Sequence, residues 1–293
     1  MSLIETLSRL SALNILNVLA YLANVLLVNG FSSLFHLPDN ATMSAKYQTI
    51  VTPAGWAFAI WGLIFLMQLI WSVAQVAFPS YRNNPLVLLG VGHNYIAVCA
   101  FQIAWTVSFG LEQILMSMMW MVGILYYLIR IHVSMQNVLS ESDESLRVSH
   151  NFWLLRFPFD LHLGWIVAAT LVNFSVVLQA HVESAAVKFA AGILTLAVAF
   201  VVASGVLYME KDKKFPNVVI PMVLVWALNA IGKELSQPKE LIVNTYTNGE
   251  IEVVQYGSEV AALSILLLAI GVVARAIWKN PATSRVEEYS LLD

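Results

Sequence analysis

Long apolar stretches separated by short polar connections follow one another through the whole chain. Eight of them reach or approach the roughly 20 residues that a helix needs to cross a bilayer. The predicted spans are 11–29, 55–78, 86–109, 113–132, 158–180, 187–209, 216–232 and 257–278. Asn14, Asn17 and Asn24 interrupt the first stretch and no small-residue cleavage site follows it, which favours a retained helix over a signal peptide. The pattern predicts an all-α, polytopic membrane helix bundle with about eight transmembrane helices.

Polar and aromatic side chains recur at helical spacing inside these spans. In the first span, Asn14, Asn17, Tyr21 and Asn24 are separated by three, four and three residues, so they share one helix face. The next three spans repeat the pattern with Trp61, Phe65, Gln68 and Trp71, with Tyr95, Val98, Gln102, Trp105 and Phe109, and with Trp120, Ile124 and Tyr127. Because a polar group that faces lipid is costly, we expect these faces to point into the bundle.

Alternate helices run in opposite directions, which assigns a depth in the membrane to each side chain. Asn24, Trp56, Phe58, Trp61, Trp105 and Asn173 fall in the outer half, and Gln102 lies nearer the middle. Flat rings and a few hydrogen-bonding groups from several helices are typical of a pocket for a bulky apolar ligand. Ordinary interhelical packing and amide hydrogen bonding are the alternative interpretation.

Composition supports the membrane location and excludes other classes. Hydrophobic residues make up 59% of the 293 residues and charged residues 11%, and the mean hydropathy is +0.75. The net charge of −3 gives no reason to expect a nucleic-acid partner. One cysteine, Cys99, excludes an intrachain disulfide framework and a cysteine-based zinc site. No phosphate loop, Ser/His/Asp arrangement or paired-carboxylate site is present, so no enzymatic activity is predicted.

Positive charge is distributed unevenly between the two sides that eight spans would define. Of the 15 Lys and Arg residues, only Lys46, Lys188, Lys233 and Lys239 fall on the side opposite the termini. Since positively charged loops are retained in the cytoplasm, both termini are predicted to be cytoplasmic. The loop after the first span then faces outside, where Asn40 of Asn40-Ala41-Thr42 is a candidate glycosylation site. The sequence does not indicate which cellular membrane holds the protein.

The segment 240–256 has the pattern of a β-hairpin. Asn248-Gly249 lies between two runs of β-branched and aromatic residues, a strong short-range hairpin signal. We therefore expect a small extramembrane hairpin there. The predicted parts of the chain are a five-helix core at 1–182, a three-helix extension with the hairpin at 183–280, and a polar tail at 281–293.

Three segments resemble the second, third and fifth helices of the TspO/translocator protein family, also called tryptophan-rich sensory proteins. They are TPAGWAFAIWGLIF (52–65), QIAWTVSF (102–109) and WIVAATLVN (165–173), in the family's order and at compatible distances. LNVLAYLANVLLVNG (16–30) and PFDLHLGWIVAAT (158–170) look more like the larger branch of the family than its short five-helix members. The resemblance covers about 14–180, and the last three spans have no counterpart in the short members.

The resemblance implies a five-helix core that binds tetrapyrroles or other flat hydrophobic ligands, in some members sterols, under the loop after the first helix. The pocket candidates that it carries over are Trp56, Trp61, Trp105, Trp165 and Asn173. In the short members a proline usually stands where this chain has Ala59, and an asparagine where it has Gln102. The identity of the ligand is therefore not transferred.

Two functions follow as expectations. The first is a membrane protein that binds a tetrapyrrole-like or sterol-like ligand for sensing, transport or buffering. The alternative is a structural or assembly subunit that packs against pigments, lipids or other subunits. Expected partners are membrane lipids and a hydrophobic small molecule, with a homodimer or a membrane complex left open. A porphyrin or haem-like tetrapyrrole is the candidate cofactor, and His162 is either a ligand of its iron or a hydrogen-bonded interface histidine.

Overall fold

The computed structural model describes residues 11–36, 38, 40–141, 149–211 and 213–279, and every regular element within them is helical. The main helices are α1 (Ala12–Phe35), α2 (Asn40–Lys46), α3 (Ile60–Ala77), α4 (Asn94–Gly110), α5 (Ile114–Glu141), α6 (Phe157–His181), α7 (Ala185–Glu210), α8 (Val219–Leu235), α9 (Glu240–Thr245) and α10 (Asn248–Lys279). Short helical turns at Gly55–Ala59, Pro79–Arg82, Leu86–Val91, Ser149–Asn151 and Phe152–Arg156 lie between them. The all-α prediction is confirmed for this part of the chain. The predicted polar tail lies outside the described residues.

Six helical segments among the described residues are long and apolar enough to cross a membrane. They are Ala12–Phe31, Gly55–Ala77, Ile114–Glu141, Phe152–His181, Ala185–Glu210 and Asn248–Lys279. A seventh span results if Pro79–Val91 and Asn94–Gly110, which are bent by 64°, are taken together. The predicted span 216–232 forms α8, whose 17 residues rise about 26 Å, slightly less than a hydrocarbon core of about 30 Å. The structure thus supports six or seven spans, and an eighth depends on α8.

The lipid-facing character of these helices is visible in their exposed side chains. Leu26, Val201 and Leu267 are 68%, 66% and 59% exposed, although each lies within an apolar helix. Large exposed apolar side chains on helices long enough to span are expected where acyl chains, rather than water, surround the protein.

Five long helices form a closed ring in the first of two compact units, which comprises Met1–Thr49 and Phe58–Glu183. In this ring α1 contacts α3 and α4, α4 contacts α5, α5 contacts α6, and α6 returns to α3. The first three turns of α6 are the most enclosed part, since every residue from Pro158 to Ile166 is buried. Side chains on several faces of α6 therefore contact other helices of the unit.

The third predicted span is broken rather than straight. Gly92 has a backbone φ of +53°, a conformation that glycine adopts without steric cost. The partly buried segment before it, Leu86–Val91, is a helical turn wider than that of an α-helix. A Cβ atom on Gly90 would lie 2.9 Å from Cγ of Met135 on α5, so the absence of a side chain permits this close packing. The span predicted at 86–109 consequently consists of two helical pieces.

The second unit comprises Ile50–Ala57 and Ser184–Asp293. Its long helices α7, α8 and α10 all contact one another. Small buried residues line these helices, namely Ala191, Gly192, Ala199, Ala203, Ala227, Ala230, Gly232, Ala262 and Ala269. The segment 50–57 joins them, and the N–H of Ala54 donates to the carbonyl oxygen of Ala230 at 3.0 Å. Eight residues inside the predicted 1–182 core thus pack with the second unit.

The β-hairpin predicted at 240–256 is wrong, because α9 and the first turns of α10 occupy this segment. Thr247 and Glu250 form a capping box at the start of α10. The N–H of Thr247 donates to Oε2 of Glu250 at 2.8 Å, and the N–H of Glu250 donates to Oγ1 of Thr247 at 3.3 Å. This reciprocal pair satisfies N–H groups that a helix start leaves unpaired. Asn248-Gly249 therefore begins a helix instead of forming a turn between strands.

Candidate ligand-binding site

The polar face of α1 points into the first unit. The Nδ2 atoms of Asn14 and Asn17 both donate to Oε1 of Gln75 on α3, at 3.3 and 3.5 Å. One turn further along, the hydroxyl of Tyr21 donates to the carbonyl oxygen of Phe65 at 3.0 Å. All three α1 side chains are buried. The inward orientation predicted from their helical spacing is confirmed.

Asn24 continues this face and meets Gln102 on α4. Nδ2 of Asn24 donates to Oε1 of Gln102 at 3.2 Å, and both residues are 0% exposed. Their remaining polar atoms, Oδ1 of Asn24 and Nε2 of Gln102, have no hydrogen-bond partner. The pair joins α1 to α4 and leaves one buried acceptor and one buried donor unpaired.

Trp105 and Asn173 form a second polar contact, between α4 and α6. Nε1 of Trp105 donates to Oδ1 of Asn173 at 2.8 Å, and Nδ2 of Asn173 lies 3.4 Å from Oγ of Ser117 on α5. Both predicted residues are buried. Because the protein itself supplies these partners, the two hydrogen bonds connect α4, α5 and α6 without requiring another molecule.

Two further predicted residues, Phe58 and Trp61, meet at the indole of a third, Trp165 on α6. Its ring packs edge-on against Phe58, with centroids 5.8 Å apart, and against Trp61, with centroids 6.3 Å apart. Trp165 is 2% exposed and its Nε1 has no hydrogen-bond partner. Phe58 and Trp61 are half-buried. The cluster is therefore aromatic on its outside and has an unpaired N–H group inside.

His162 lies one turn before Trp165 and belongs to a hydrogen-bonded network. Its Nδ1 is 2.9 Å from Nε2 of Gln68 on α3, and Oε1 of Gln68 accepts from the hydroxyl of Tyr95 on α4 at 3.1 Å. The ring of His162 also contacts Trp61, with centroids 5.6 Å apart. Its Nε2 is buried without a partner. Of the two interpretations of His162, this geometry corresponds to the hydrogen-bonded interface residue.

Sequence reasoning placed Gln68 and Tyr95 on inward faces but did not include them in the site. The available signal was their spacing, since Gln68 lies seven residues after Trp61, about two helical turns, on the same face of α3.

No group of three or more His, Cys, Asp or Glu side chains that could hold a metal ion occurs in the described part of the chain.

Trp56 lies in the second unit, where its partner is a tryptophan that sequence reasoning did not select. The rings of Trp56 and Trp226 are perpendicular, with centroids 4.6 Å apart. Nε1 of Trp226 donates to the carbonyl oxygen of Ala57 at 3.1 Å, and Trp56 is 45% exposed. The structure thus groups Trp56 with α8, although only one residue separates it from Phe58 in the sequence.

The loop after α1 is fixed at its end by one carboxylate. Oε2 of Glu112, in the turn between α4 and α5, lies 2.5 Å from Nζ of Lys46 and accepts from the hydroxyl of Tyr47 at 2.8 Å. These hydrogen bonds, from Lys46 first, lower the pKa of the Glu112 carboxyl below its ordinary value. Asn40 is the first residue of α2 and is half-buried. Its glycosylation stays a prediction.

Apolar helices that expose large side chains outward and bury hydrogen-bonded carboxamides inside define a multi-pass integral membrane protein. The family model of the TSPO-like proteins matches residues 14–271, and the chain belongs to that family. The match extends through α8 into α10, so it includes the helices without a counterpart in the short members. A search of curated proteins and a search of solved structures each found no match.

Proposed function

We propose that this membrane protein binds a bulky, flat hydrophobic molecule of the tetrapyrrole or sterol type among α3, α4 and α6, for sensing, transport or buffering. The observation that supports this proposal is a set of buried polar atoms without hydrogen-bond partners, two of which belong to side chains whose rings pack against Trp61. These atoms are Asn24 Oδ1, Gln102 Nε2, His162 Nε2 and Trp165 Nε1. Each unpaired buried group costs about 1–3 kcal/mol, and a mostly apolar ligand with a few polar groups would remove that cost.

The predicted residues divide into two roles under this proposal. Trp61, Phe58 and Trp165 supply the flat apolar contact, because their rings pack edge to face in one cluster. Trp105 and Asn173 hold the helices in position through a hydrogen bond that is already complete. Phe58 and Trp61 are half-buried, so a ligand arriving from the lipid would meet these two rings first.

The alternative function, a structural or assembly subunit, has one observation in its favour. The protein itself makes the hydrogen bonds that link Trp105, Asn173 and Ser117, and it makes the ring contacts around Trp165. Such contacts stabilise helix packing whether or not a ligand binds. A binding experiment separates the two functions.

The experiment titrates protoporphyrin IX into the purified protein in lipid nanodiscs and follows the absorbance of the porphyrin. This readout does not depend on tryptophan emission, so tryptophan variants remain comparable. Saturable binding is expected, and Trp61→Leu should weaken it about two- to tenfold, since an aromatic contact contributes about 0.5–1.5 kcal/mol beyond its buried area. Cholesterol added as a competitor tests the sterol class.

The matched control is Trp278→Leu, which removes an indole that is 85% exposed at the end of α10. This variant should bind the porphyrin like the parent protein. Equal losses in Trp61→Leu and Trp278→Leu would contradict the site, and an absence of saturable binding would favour the assembly role.

We also propose that α8 is an eighth span and that both termini are cytoplasmic. The basis is the distribution of Lys and Arg, together with the length of α8, which a slightly thinned bilayer accommodates. Single cysteines replace Lys46 or Lys213 in a Cys99→Ala background. A membrane-impermeant maleimide added to sealed cells should label the cysteine at position 46, and it should label the cysteine at position 213 only after the membrane is permeabilised. Labelling of both positions from outside would contradict this topology.

A further inference from the structure

The orientation of one amide group determines the chemistry of His162. The hydroxyl of Tyr95 lies 3.1 Å from Oε1 of Gln68, and a carboxamide oxygen can only accept a hydrogen bond. Tyr95 is therefore the donor in this contact. The other end of the same amide, Nε2 of Gln68, can only donate, and it lies 2.9 Å from Nδ1 of His162. With the Gln68 amide in this orientation, Nδ1 accepts the hydrogen bond and is the unprotonated nitrogen of the imidazole.

A neutral imidazole whose Nδ1 accepts a hydrogen bond carries its proton on Nε2. His162 is 0% exposed, and its Nε2 has no partner in the protein. The ring thus presents an unused N–H donor inside the bundle. A lone pair, which a metal ion would need, is not available at that nitrogen in this tautomer.

Trp165 presents a second unused donor on the same side of α6. Residues three apart lie next to each other on a helix surface, and the ring of Trp61 contacts both His162 and Trp165. Nε1 of Trp165 is a donor only, and it is buried without a partner. Two neutral N–H donors next to one half-buried aromatic ring are complementary to an oxygen acceptor on a flat molecule.

We propose that His162 and Trp165 together bind an acceptor oxygen of the ligand, such as a carboxylate, ester or ketone oxygen, and that His162 is not a metal ligand. This inference rests on the proposed function, because it specifies the polar group of the molecule bound at that site. The proposal implies that the site selects a ligand by its acceptor oxygen and not by a central iron atom.

The first test examines His162 without any ligand. Solid-state NMR of the histidine-labelled protein in liposomes, with His162→Phe used to assign the signal, distinguishes a protonated ring nitrogen from an unprotonated one by its ¹⁵N shift. We expect protonated Nε2 and unprotonated Nδ1. The opposite tautomer would overturn the inference and leave the proposed function untouched.

The second test compares protoporphyrin IX, which carries two carboxyl groups, with octaethylporphyrin, which has the same ring and no oxygen. Trp165→Phe keeps an aromatic ring and removes the N–H donor. It should weaken protoporphyrin IX binding about tenfold, the loss expected for a hydrogen bond to a charged group, and leave octaethylporphyrin binding within twofold. His162→Phe should show the same selectivity. Equal losses for both porphyrins would overturn the inference.

The control is Trp120→Phe, because Nε1 of Trp120 already donates to Oγ of Ser108 at 3.0 Å. This variant should change neither affinity. Ferric haem provides a further readout, since axial ligation by His162 would give an absorbance spectrum that His162→Phe abolishes. We expect the two haem spectra to be the same. If neither porphyrin binds saturably to the parent protein, the proposed function fails, whereas the NMR result still decides the tautomer.

Discussion

The two units of the molecule have different interiors. The first unit buries carboxamide and indole groups that bond between helices, as in the contacts of Asn24 with Gln102 and of Trp105 with Asn173, and it also buries the carboxylate of Asp160 beside His132. In the second unit small residues such as Gly192 and Ala230 line the packed helices, and the buried carboxylate of Glu210 lies at the end of α7. There, Glu210 binds Lys213 and the N–H of Asn217.

This difference indicates where binding chemistry is located. Small residues let helix backbones approach closely and give stability without hydrogen-bonding groups. Polar groups within a membrane helix are costly and are expected where they have a function. The first unit buries such polar groups at several positions along α1, α3, α4 and α6. We therefore place the candidate site in this unit. The second unit has the features of a packing scaffold.

The largest expected stability effect tests the close packing of the second unit. In Gly192→Ala the new Cβ would lie 2.7 Å from Cγ2 of Ile50, whereas in Gly205→Ala, on the same helix, it meets nothing within 4 Å. Overpacking should cost Gly192→Ala about 1–3 kcal/mol of unfolding free energy in detergent micelles. Gly205→Ala should be neutral or slightly stabilising, because alanine favours helix. Equal stabilities of the two variants would contradict the close contact.

A somewhat smaller effect is expected at the start of α10. Thr247→Ala removes the N-cap side chain at the start of α10 and should lower the free energy of unfolding by about 1 kcal/mol. Hydrogen exchange at the N–H of Glu250 should become faster at the same time. Thr245→Ala is the control, since Oγ1 of Thr245 only donates back to the carbonyl of Leu241. Unchanged exchange in Thr247→Ala would show that the cap does not hold this helix start.

In the first unit, a double-mutant cycle measures the contact between Asn24 and Gln102. The variants Asn24→Leu, Gln102→Leu and their combination should give a coupling free energy of about 0.6 kcal/mol, the average for interhelical hydrogen bonds in membranes. The same cycle with Asn14 in place of Asn24 should be additive, since Asn14 bonds to Gln75 instead. Additivity in both cycles would remove the distinction between the two interiors.

The smallest effect concerns the surface contact of Glu112 with Lys46 and Tyr47. The folded-state pKa of Glu112 is lowered from its ordinary 4.5, chiefly by the hydrogen bond from Lys46. Its contribution to stability is therefore fully present above pH 4.5 and is lost as the pH falls through the lowered pKa. The melting temperature of the parent protein should exceed that of Glu112→Gln above pH 4.5 and converge with it in acid. A constant difference down to acidic pH would contradict the contact.

Helical periodicity correctly predicted which side chains of a single helix point inward. Asn14, Asn17, Tyr21 and Asn24 are all buried because their spacing alone places them on one side of α1. The order of the family motifs likewise placed Trp105 and Asn173 in the same site, and they bond to each other. The partners themselves could not be predicted, because residue spacing within a helix does not determine how neighbouring helices align.

One wrong prediction, the hairpin, and two contacts that the sequence did not reveal have physical reasons at particular residues. The hairpin prediction weighed Asn248-Gly249 and overlooked the Thr-x-x-Glu spacing around it, which favours a helix start. Trp56 groups with Trp226 because residues 50–57 pack with the second unit, a tertiary preference that the local sequence does not reveal. The role of His162 depends on Gln68 and Tyr95, which come from two other helices.

The most direct test of a ligand site in the first unit is an experimental density map of the protein in nanodiscs with protoporphyrin IX. We expect a flat molecule against Trp61 and Trp165, with an oxygen within hydrogen-bonding distance of Nε2 of His162. Porphyrin bound elsewhere, or a map in which these side chains pack together unchanged and no porphyrin is present, would contradict it.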